Sequence, residues 1–218
     1  MNTPNGVSFD ELLSSVGAIV FAGSETTATL LCGCVYYLAT HPVLAGKLAA
    51  EIRGTFREEG EIDMVSVNQC TYMLAVLNET MRIYPSAPAS FNHVTPPAGC
   101  SITGRFVAGN TTVAVNQWSA NHSAFNFKRP YEYLPERWLG GEEWEGDSKK
   151  AMQPFSVGPR NCIGRALAYA EMRVVLARLV WGFDWELTEG SRGWAAVQRV
   201  WMVYQKPQMW VRMKPVVR

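Results

Sequence analysis

The chain has 218 residues, 48% of them hydrophobic, and a formal net charge of +1. A chain of this length and composition can bury a sizeable core, which excludes intrinsic disorder. The near-neutral charge gives no electrostatic basis for binding nucleic acid or an anionic membrane surface, so no nucleic-acid partner is expected.

The first predicted element is a long helix. Ser8 and Glu11 form an S-x-x-E capping box where an apolar stretch begins, and Pro42 follows the end of that stretch. A helix is therefore predicted from about Phe9 until just before Pro42. The stretch is long enough to raise the question of a transmembrane helix, but Glu25 stands in its middle, where a charge is costly in lipid. We expect a buried core helix and no transmembrane segment in this chain.

Two further helices are predicted before the chain changes period. Pro42 suits the first turn of the second helix, and the third runs from about Cys70 until Pro85 stops it. Apolar residues recur at helical spacing in both: Leu44, Leu48, Ile52 and Phe56, then Met73, Leu77, Met81 and Tyr84.

The rest of the chain predicts short strands and one more helix. Residues 101–117 are predicted to form two short strands around the turn signal Ala108-Gly109-Asn110, and residues 122–147 are predicted to be irregular. After Cys162 the sequence is apolar on most faces, which predicts a buried helix. The tail predicts a last hairpin, in which VQRVWMVY pairs with MWVRM. The fold class is therefore mainly α with small β-sheets, and no domain boundary is visible.

The five cysteines are an odd number without the dense spacing of a disulfide scaffold. This pattern indicates a reducing compartment, with one or more thiols free to act as ligands. Cys32 and Cys34 lie on the first helix, where C-x-C spacing cannot turn both thiols to one metal, so core packing is predicted for them. Cys70 and Cys100 show no sign of a role.

The stretch FSVGPRNCIG, residues 155–164, sets Cys162 just before the last predicted helix. A helix N-terminus directs backbone N–H groups and positive dipole at a sulfur, which favours the thiolate that a metal needs. Gly158 permits a turn, Gly164 lets a flat ligand approach the backbone, and Arg160 offers a cation for an acidic group. The alternative is an inert, buried cysteine.

Two other groups of residues suggest chemistry. In AGSETT, residues 22–27, Glu25 stands beside two threonines within an apolar helix, which is costly unless the charge functions or is paired. The hydroxyl of Thr26 can bond the helix backbone or a ligand, and the alternative is a helix–helix contact through small residues. Glu79 and Arg82 are three apart and can form an ion pair on one helical face.

These segments together resemble the motifs of the cytochrome P450 superfamily. FSVGPRNCIG is similar to its haem-binding signature F-x-x-G-x-R-x-C-x-G and has every fixed position: Phe155, Gly158, Arg160, Cys162 and Gly164. AGSETT, the E-x-x-R of residues 79–82 and the P-E-R of residues 135–137 resemble three further family motifs in the same order. The sequence of residues 104–141 resembles that of the fungal microsomal members of the superfamily most.

The resemblance implies roles for these residues. Cys162 would be the axial thiolate ligand of haem b, Glu25 would deliver protons, and Thr26 would stabilise the activated oxygen. Glu79, Arg82 and Arg137 would form a buried charge network that fixes the loop bearing the thiolate. Many relatives have a propionate-binding arginine where this chain has Asn92-His93. His93 could donate a hydrogen bond to a propionate, or it could be a surface histidine.

The activity implied is monooxygenation of a small apolar organic substrate by dioxygen. Electrons would come from NADPH-cytochrome P450 reductase at the basic surface near Arg165, and substrate contacts would be Val20, Phe21, Ala22 and the loop 87–89. The match implies the C-terminal portion of the P450 fold, so residues 1–218 are expected to be a partial domain. Full-length relatives are expected at the endoplasmic reticulum membrane, and the localisation of this chain is left open.

Two alternatives remain open. The chain could be a non-catalytic fragment that binds haem weakly or serves only in interactions, because an open haem would admit water. It could also use haem for peroxide rearrangement without external electrons, which the Glu25–Thr26 pair disfavours. Incompleteness further predicts an exposed apolar face on the long helix.

Overall fold

A computed structural model describes residues 6–217, and within them five α-helices and eight short strands. The helices are α1 (Phe9–Thr40), α2 (Pro42–Thr55), α3 (Thr71–Ile83), α4 (Gln117–Asn121) and α5 (Arg165–Gly182). The strands are β1 (His93–Val94), β2 (Cys100–Ile102), β3 (Arg105–Val107), β4 (Thr112–Val113), β5 (Phe183–Leu187), β6 (Arg199–Val200), β7 (Tyr204–Gln205) and β8 (Val211–Pro215). The strands pair as four two-stranded antiparallel sheets, which confirms the predicted fold class.

Local signals fix the helix ends. Glu11 N donates to Ser8 Oγ at 3.3 Å and Ser8 N donates to Glu11 Oε2 at 2.8 Å, which is the predicted capping box. Pro42 is the first residue of α2. The start of α3 has a less predictable cap, because the carboxylate of Glu51, on α2, accepts hydrogen bonds from Tyr72 N at 2.7 Å and Met73 N at 2.8 Å. This cap joins α2 to α3 through otherwise unpaired N–H groups.

One main core lies where the C-terminal part of α1 packs against α2, α3 and α5. Its fully buried members include Leu38, Leu48, Leu77 and Leu176. A second, aromatic cluster contains Tyr84, Tyr133, Trp194 and Tyr204. Helix α5 buries only one side, because Met172, Leu176, Ala177 and Val180 are buried while Leu167 and Val175 are exposed. The predicted helix is therefore present, but it is buried along one side only.

Helix α1 consists of two unlike halves. Its N-terminal half exposes an apolar face formed by Phe9, Leu12, Leu13, Val16, Ile19, Val20 and Phe21, and burial begins only at Thr29. The predicted exposed apolar face is thus confirmed, and the prediction of a core helix holds only for the C-terminal half. By length and composition alone α1 could cross a membrane, a test that core helices of soluble proteins also pass.

The strand partners differ from the predicted hairpins. The turn between β2 and β3 lies at Thr103-Gly104, not at Ala108-Gly109-Asn110. Residues 108–111 instead bond back to Thr95, whose Oγ1 donates to Ala108 O at 2.7 Å and accepts from Thr111 N at 2.9 Å. A Cβ on Gly109 would lie 1.9 Å from the carbonyl oxygen of Pro97, so this turn signal marks a close backbone approach.

The C-terminal strands also pair differently. Strands β6 and β7 form a short hairpin with each other, whereas the MWVRM segment contributes to β8, which pairs with β5 directly after α5. Trp185 stands opposite Met213 in this ladder, and Trp185 Nε1 donates to the carbonyl oxygen of Val35, on α1, at 3.0 Å. This contact holds β5 and β8 against the core half of α1.

Candidate functional site

The loop before α5 is a tight turn that ends in Cys162. Cys162 N donates to Phe155 O at 2.8 Å and Asn161 N donates to Gly158 O at 3.1 Å, closing the loop on itself. Gly158 has a φ of +80°, a conformation that favours glycine, and Ser156 also has a positive φ, at +58°. The loop leads through Gly164, the cap residue, into α5.

The thiol of Cys162 is exposed and forms no disulfide. A Cβ placed on Gly164 would meet only Cys162 Sγ, at 3.8 Å, so the surface beside the sulfur is open. Phe155 packs on the ring of Tyr169 with centroids 5.3 Å apart, which ties the loop to α5 at the edge of the main core. Arg160 is exposed and makes no ion pair with any described residue.

The predicted acid–alcohol pair lies in the middle of α1, half-buried. Thr26 Oγ1 donates to the carbonyl oxygen of Ala22 at 2.6 Å, and Ser86 Oγ donates to the carbonyl oxygen of Thr26 at 2.8 Å. Glu25 instead contacts Lys206, which the sequence did not suggest. The two side chains are adjacent in the chain but belong to separate hydrogen-bond groups. Next to them, a Cβ on Gly23 would meet no atom within 4 Å.

The structure brings Glu79, Arg82 and Arg137 together, all fully buried. Arg82 binds Glu79 through two hydrogen bonds of 2.8 and 2.9 Å, and Arg137 Nε donates to Glu79 Oε1 at 3.1 Å. Arg82 also donates to the carbonyl oxygens of residues 121, 130 and 132. The network therefore joins α3 to the end of α4 and to the segment that follows it as far as residue 138.

Three other members of this network were not predicted. Arg137 Nη1 makes a short ion pair with Asp147, and Trp138 Nε1 donates to Glu79 Oε2 at 2.8 Å. Asn121 Nδ2 donates to the carbonyl oxygen of Arg82 at 2.9 Å. Two buried guanidinium groups facing one carboxylate indicate that a second acid is needed, which was the available signal for Asp147.

His93 lies apart from this network. It is an exposed residue of β1, paired with Val113 of β4. Its role toward a propionate stays a prediction.

The family profile described as Cytochrome P450 matches residues 1–210. The chain belongs to the cytochrome P450 family. Among the curated relatives of this P450 chain are averantin hydroxylase of Dothistroma septosporum, at 48% identity over 98% of the chain, and the cytochrome P450 monooxygenase aclL of Aspergillus oryzae, at 48% over 97%. The monooxygenase astA of Talaromyces wortmannii is 47% identical over 96%. The matches cover 41–43% of these three relatives, so the chain spans about two fifths of their length.

The residues of this P450 chain fit a haem group. Cys162 offers an exposed sulfur that forms no disulfide, with open surface beside it at Gly164. A porphyrin supplies four nitrogen ligands to its iron, and a single cysteine thiolate is one of the ligands that haem iron takes from proteins. This thiol is therefore suited to a haem iron.

The cysteines of the P450 chain are expected to differ sharply in reactivity. Burial raises the pKa of the Cys34 thiol to about 12 and that of Cys70 to about 11, while Cys162 is exposed. Because the thiolate is the reactive form, a disulfide reagent at neutral pH should label Cys162 within the native chain and leave Cys34 and Cys70 unmodified until it unfolds. Peptide mass spectrometry with and without urea measures this, and early labelling of Cys34 would contradict it.

Proposed function

We infer that the complete protein is a haem-thiolate monooxygenase in which Cys162 is the axial ligand. The observation that carries this proposal is the exposed, unpaired thiol at the end of a tight loop, directly before α5 and beside the open backbone of Gly164. The family membership and the monooxygenase names of the relatives support it.

Haem b would supply the binding and cleavage of dioxygen, which thiolate donation favours. The protein's part is to hold the ligand. The hydrogen bond from Cys162 N to Phe155 O fixes the loop, and the loop places the sulfur just before the N-terminus of α5. Gly164 leaves room for a flat group, and the free guanidinium of Arg160 is suited to an acidic substituent such as a propionate. His93 is a further candidate for a propionate.

Glu25 and Thr26, on α1, are proposed to handle protons. Glu25 holds or releases a proton at Oε1, and Thr26 offers a hydroxyl that now bonds its own helix at Ala22 O. Such back-bonding is weak enough to exchange for a ligand. The open space beside Gly23 would give a small molecule access to this part of α1.

The substrate is proposed to be a small apolar organic molecule. Val20 and Phe21 are exposed on α1, and the loop 87–89 is held next to the same helix because Ser86 Oγ donates to Thr26 O. Electrons are proposed to come from NADPH-cytochrome P450 reductase near Arg165, which is exposed at the start of α5. Association of the complete protein with the endoplasmic reticulum remains a prediction.

The charge network is proposed to support the thiolate loop from a distance. Its last member, Asp147, lies eight residues before Phe155 in the chain, and Gln117 Nε2 donates to the carbonyl oxygen of Ala151 at 3.1 Å between them. The network therefore anchors the approach to the loop rather than the loop itself.

The experiment that tests the proposed function is the carbon monoxide difference spectrum of the reduced, haem-reconstituted chain. We expect a strongly red-shifted Soret band that Cys162→Ala abolishes, because only thiolate ligation gives the shift. Cys100→Ala is the matched control, since Cys100 is a free cysteine outside the loop, and it should leave the band unchanged. A band that survives in Cys162→Ala would refute Cys162 as the ligand.

A second candidate, an interaction fragment without haem, is favoured by one observation: α1 exposes seven large apolar residues between Phe9 and Phe21. A surface of this kind is typical of a segment that packs against other protein. The same spectrum separates the two, because the interaction fragment predicts no thiolate band in wild-type chain.

A further inference from the structure

Lys206 reaches α1 from the C-terminal segment. Its Nζ makes a short ion pair with Glu25 Oε1 and donates to Thr29 Oγ1 at 2.7 Å. Thr29 Oγ1 in turn donates to Glu25 Oε1 at 3.2 Å, so the three polar groups form a closed cluster. Thr29 is fully buried, whereas the side chain of Lys206 is 18% exposed and that of Glu25 34%.

The backbone around Lys206 is held in place on both sides. Tyr204, two residues earlier, is buried and stacks on Tyr84 with centroids 4.4 Å apart. Pro207, the next residue, accepts a hydrogen bond at its carbonyl oxygen from Trp194 Nε1 at 2.9 Å. Packed residues on both sides of Lys206 therefore place its ammonium group beside Glu25.

The contacts determine the charge of Glu25. The hydrogen bond from Lys206 lowers the pKa of Glu25, and it outweighs partial burial, which raises it. The other titratable group with a described electrostatic effect here is Cys32, whose pKa is raised chiefly by burial and slightly by Glu25. Glu25 is therefore ionised at neutral pH, with the ammonium of Lys206 as its hydrogen-bonded counter-ion.

We propose that Lys206 is the positioning residue of Glu25: together with Thr29 it holds the carboxylate in place on α1 through an ion pair and hydrogen bonds. This rests on the proton-delivery role assigned to Glu25 in the proposed function.

The test is the titration of Glu25 in the 218-residue chain, followed by NMR of ¹³C-labelled glutamate carboxyl groups and assigned with Glu25→Gln. In wild type the midpoint should lie below the ordinary value of about 4.3. Lys206→Met should raise the proton affinity of Glu25 by about tenfold or more, and Lys206→Arg should restore the low midpoint, because it restores the cation. An unchanged midpoint in Lys206→Met would overturn the proposal.

Lys214→Met is the matched control. Lys214 lies in the same C-terminal segment, is 69% exposed and stands 4.0 Å from Glu186, so its removal should leave Glu25 unchanged. If Lys206→Met fails to fold, the test compares wild type with Glu25→Gln, both labelled with ¹⁵N-lysine. Exchange of the Lys206 Nζ protons with water should then accelerate severalfold, and an unchanged rate would overturn the proposal.

The pair also makes a pH-dependent contribution to stability. Because the pKa of Glu25 is lowered on folding, the stabilisation is fully present above the unfolded-state value and is lost as pH falls through the folded-state value. These measurements need no haem. Failure of the carbon monoxide spectrum would refute the proposed function without touching the ion pair, whereas an unchanged Glu25 titration would refute the role of Lys206 alone.

Discussion

Replacing Glu79 with glutamine is expected to lower the free energy of unfolding by about 3–5 kcal/mol, the usual consequence of removing one partner of a buried ion pair. Both carboxylate oxygens are fully used: they accept from Arg82, from Leu134 N at 2.9 Å, from Arg137 Nε and from Trp138 Nε1. Glutamine keeps the shape but turns an NH₂ group toward these donors. It also removes the acidic partner of the buried Arg82 and leaves the buried Arg137 paired with Asp147 alone.

Urea unfolding measures this loss, with Glu132→Gln as the matched control. Glu132 also pairs with an arginine at i−3, Arg129, at 2.5 Å, but both side chains are about half exposed. An exposed pair of this kind contributes little to stability, so Glu132→Gln should leave the free energy of unfolding nearly unchanged. Both variants make the same change beside an arginine three residues away, and they differ in burial and in the number of hydrogen bonds that the carboxylate accepts. Equal losses in the two variants would show that the Glu79 network is not excluded from solvent.

The network also explains why an aromatic residue lies between two cations. The ring of Phe127 faces the guanidinium carbon of Arg82 at 5.4 Å and that of Arg137 at 5.9 Å, and Trp144 faces Arg137 at 4.7 Å. Cations over aromatic faces recover part of the solvation they lose on burial. Residues 122–147, whose regular structure is two short 3-10 helices at Pro135–Trp138 and Glu142–Trp144, are in this way ordered largely by charge.

The helices could be predicted from sequence because their limits are local. The Ser8–Glu11 box, Pro42 and Pro85 act within a few residues of the backbone they control, and each predicted limit of α1 agrees with the structure within a residue or two. The strands could not be paired, because alternation identifies a strand but not its partner. Residues 108–111 bond to Thr95, and β8 pairs with β5 across the whole C-terminal segment.

The same distinction separates the site residues. The ion pair of Glu79 and Arg82 follows from helical spacing, and the loop around Cys162 could be identified from its own ten residues. Lys206 lies 181 residues from Glu25, and no spacing rule joins positions so far apart. The signal that was available was physical: a half-buried carboxylate in an apolar helix needs a cation or a function, and the sequence alone could not choose between them.

The two halves of α1 show a further limit of sequence reasoning. Its composition is apolar throughout, so periodicity cannot say which turns are covered by protein. In the structure, contacts with α3, α5 and β5 cover the part after Glu25, and the preceding apolar face stays exposed. The proposed functional residues lie at this boundary, where a packed helix meets open space.

Gly33→Ala is expected to destabilise the chain, although alanine favours helices. A Cβ at this position of α1 would lie 2.6 Å from Tyr84 Cδ1 and 3.1 Å from Thr80 Cγ2. The ring of Tyr84 cannot retreat freely, because it stacks on Tyr204 and its hydroxyl donates to Gln198 Oε1 at 2.6 Å. Overpacking of this kind costs about 1–3 kcal/mol. The gain in helix propensity, about 1 kcal/mol, offsets only part of it.

Gly46→Ala in α2 is the matched control for the steric clash expected in Gly33→Ala. Gly46 is also within a packed helix, but a Cβ there would meet no atom within 4 Å, so only the propensity gain should remain and the free energy of unfolding should rise. Opposite changes in the free energy of urea unfolding for the two variants would support the close packing of α1 at Gly33 against Thr80 and Tyr84. If both variants gained stability, Tyr84 would have to be free to move, and the aromatic cluster that holds Lys206 against Glu25 would be looser than the structure shows.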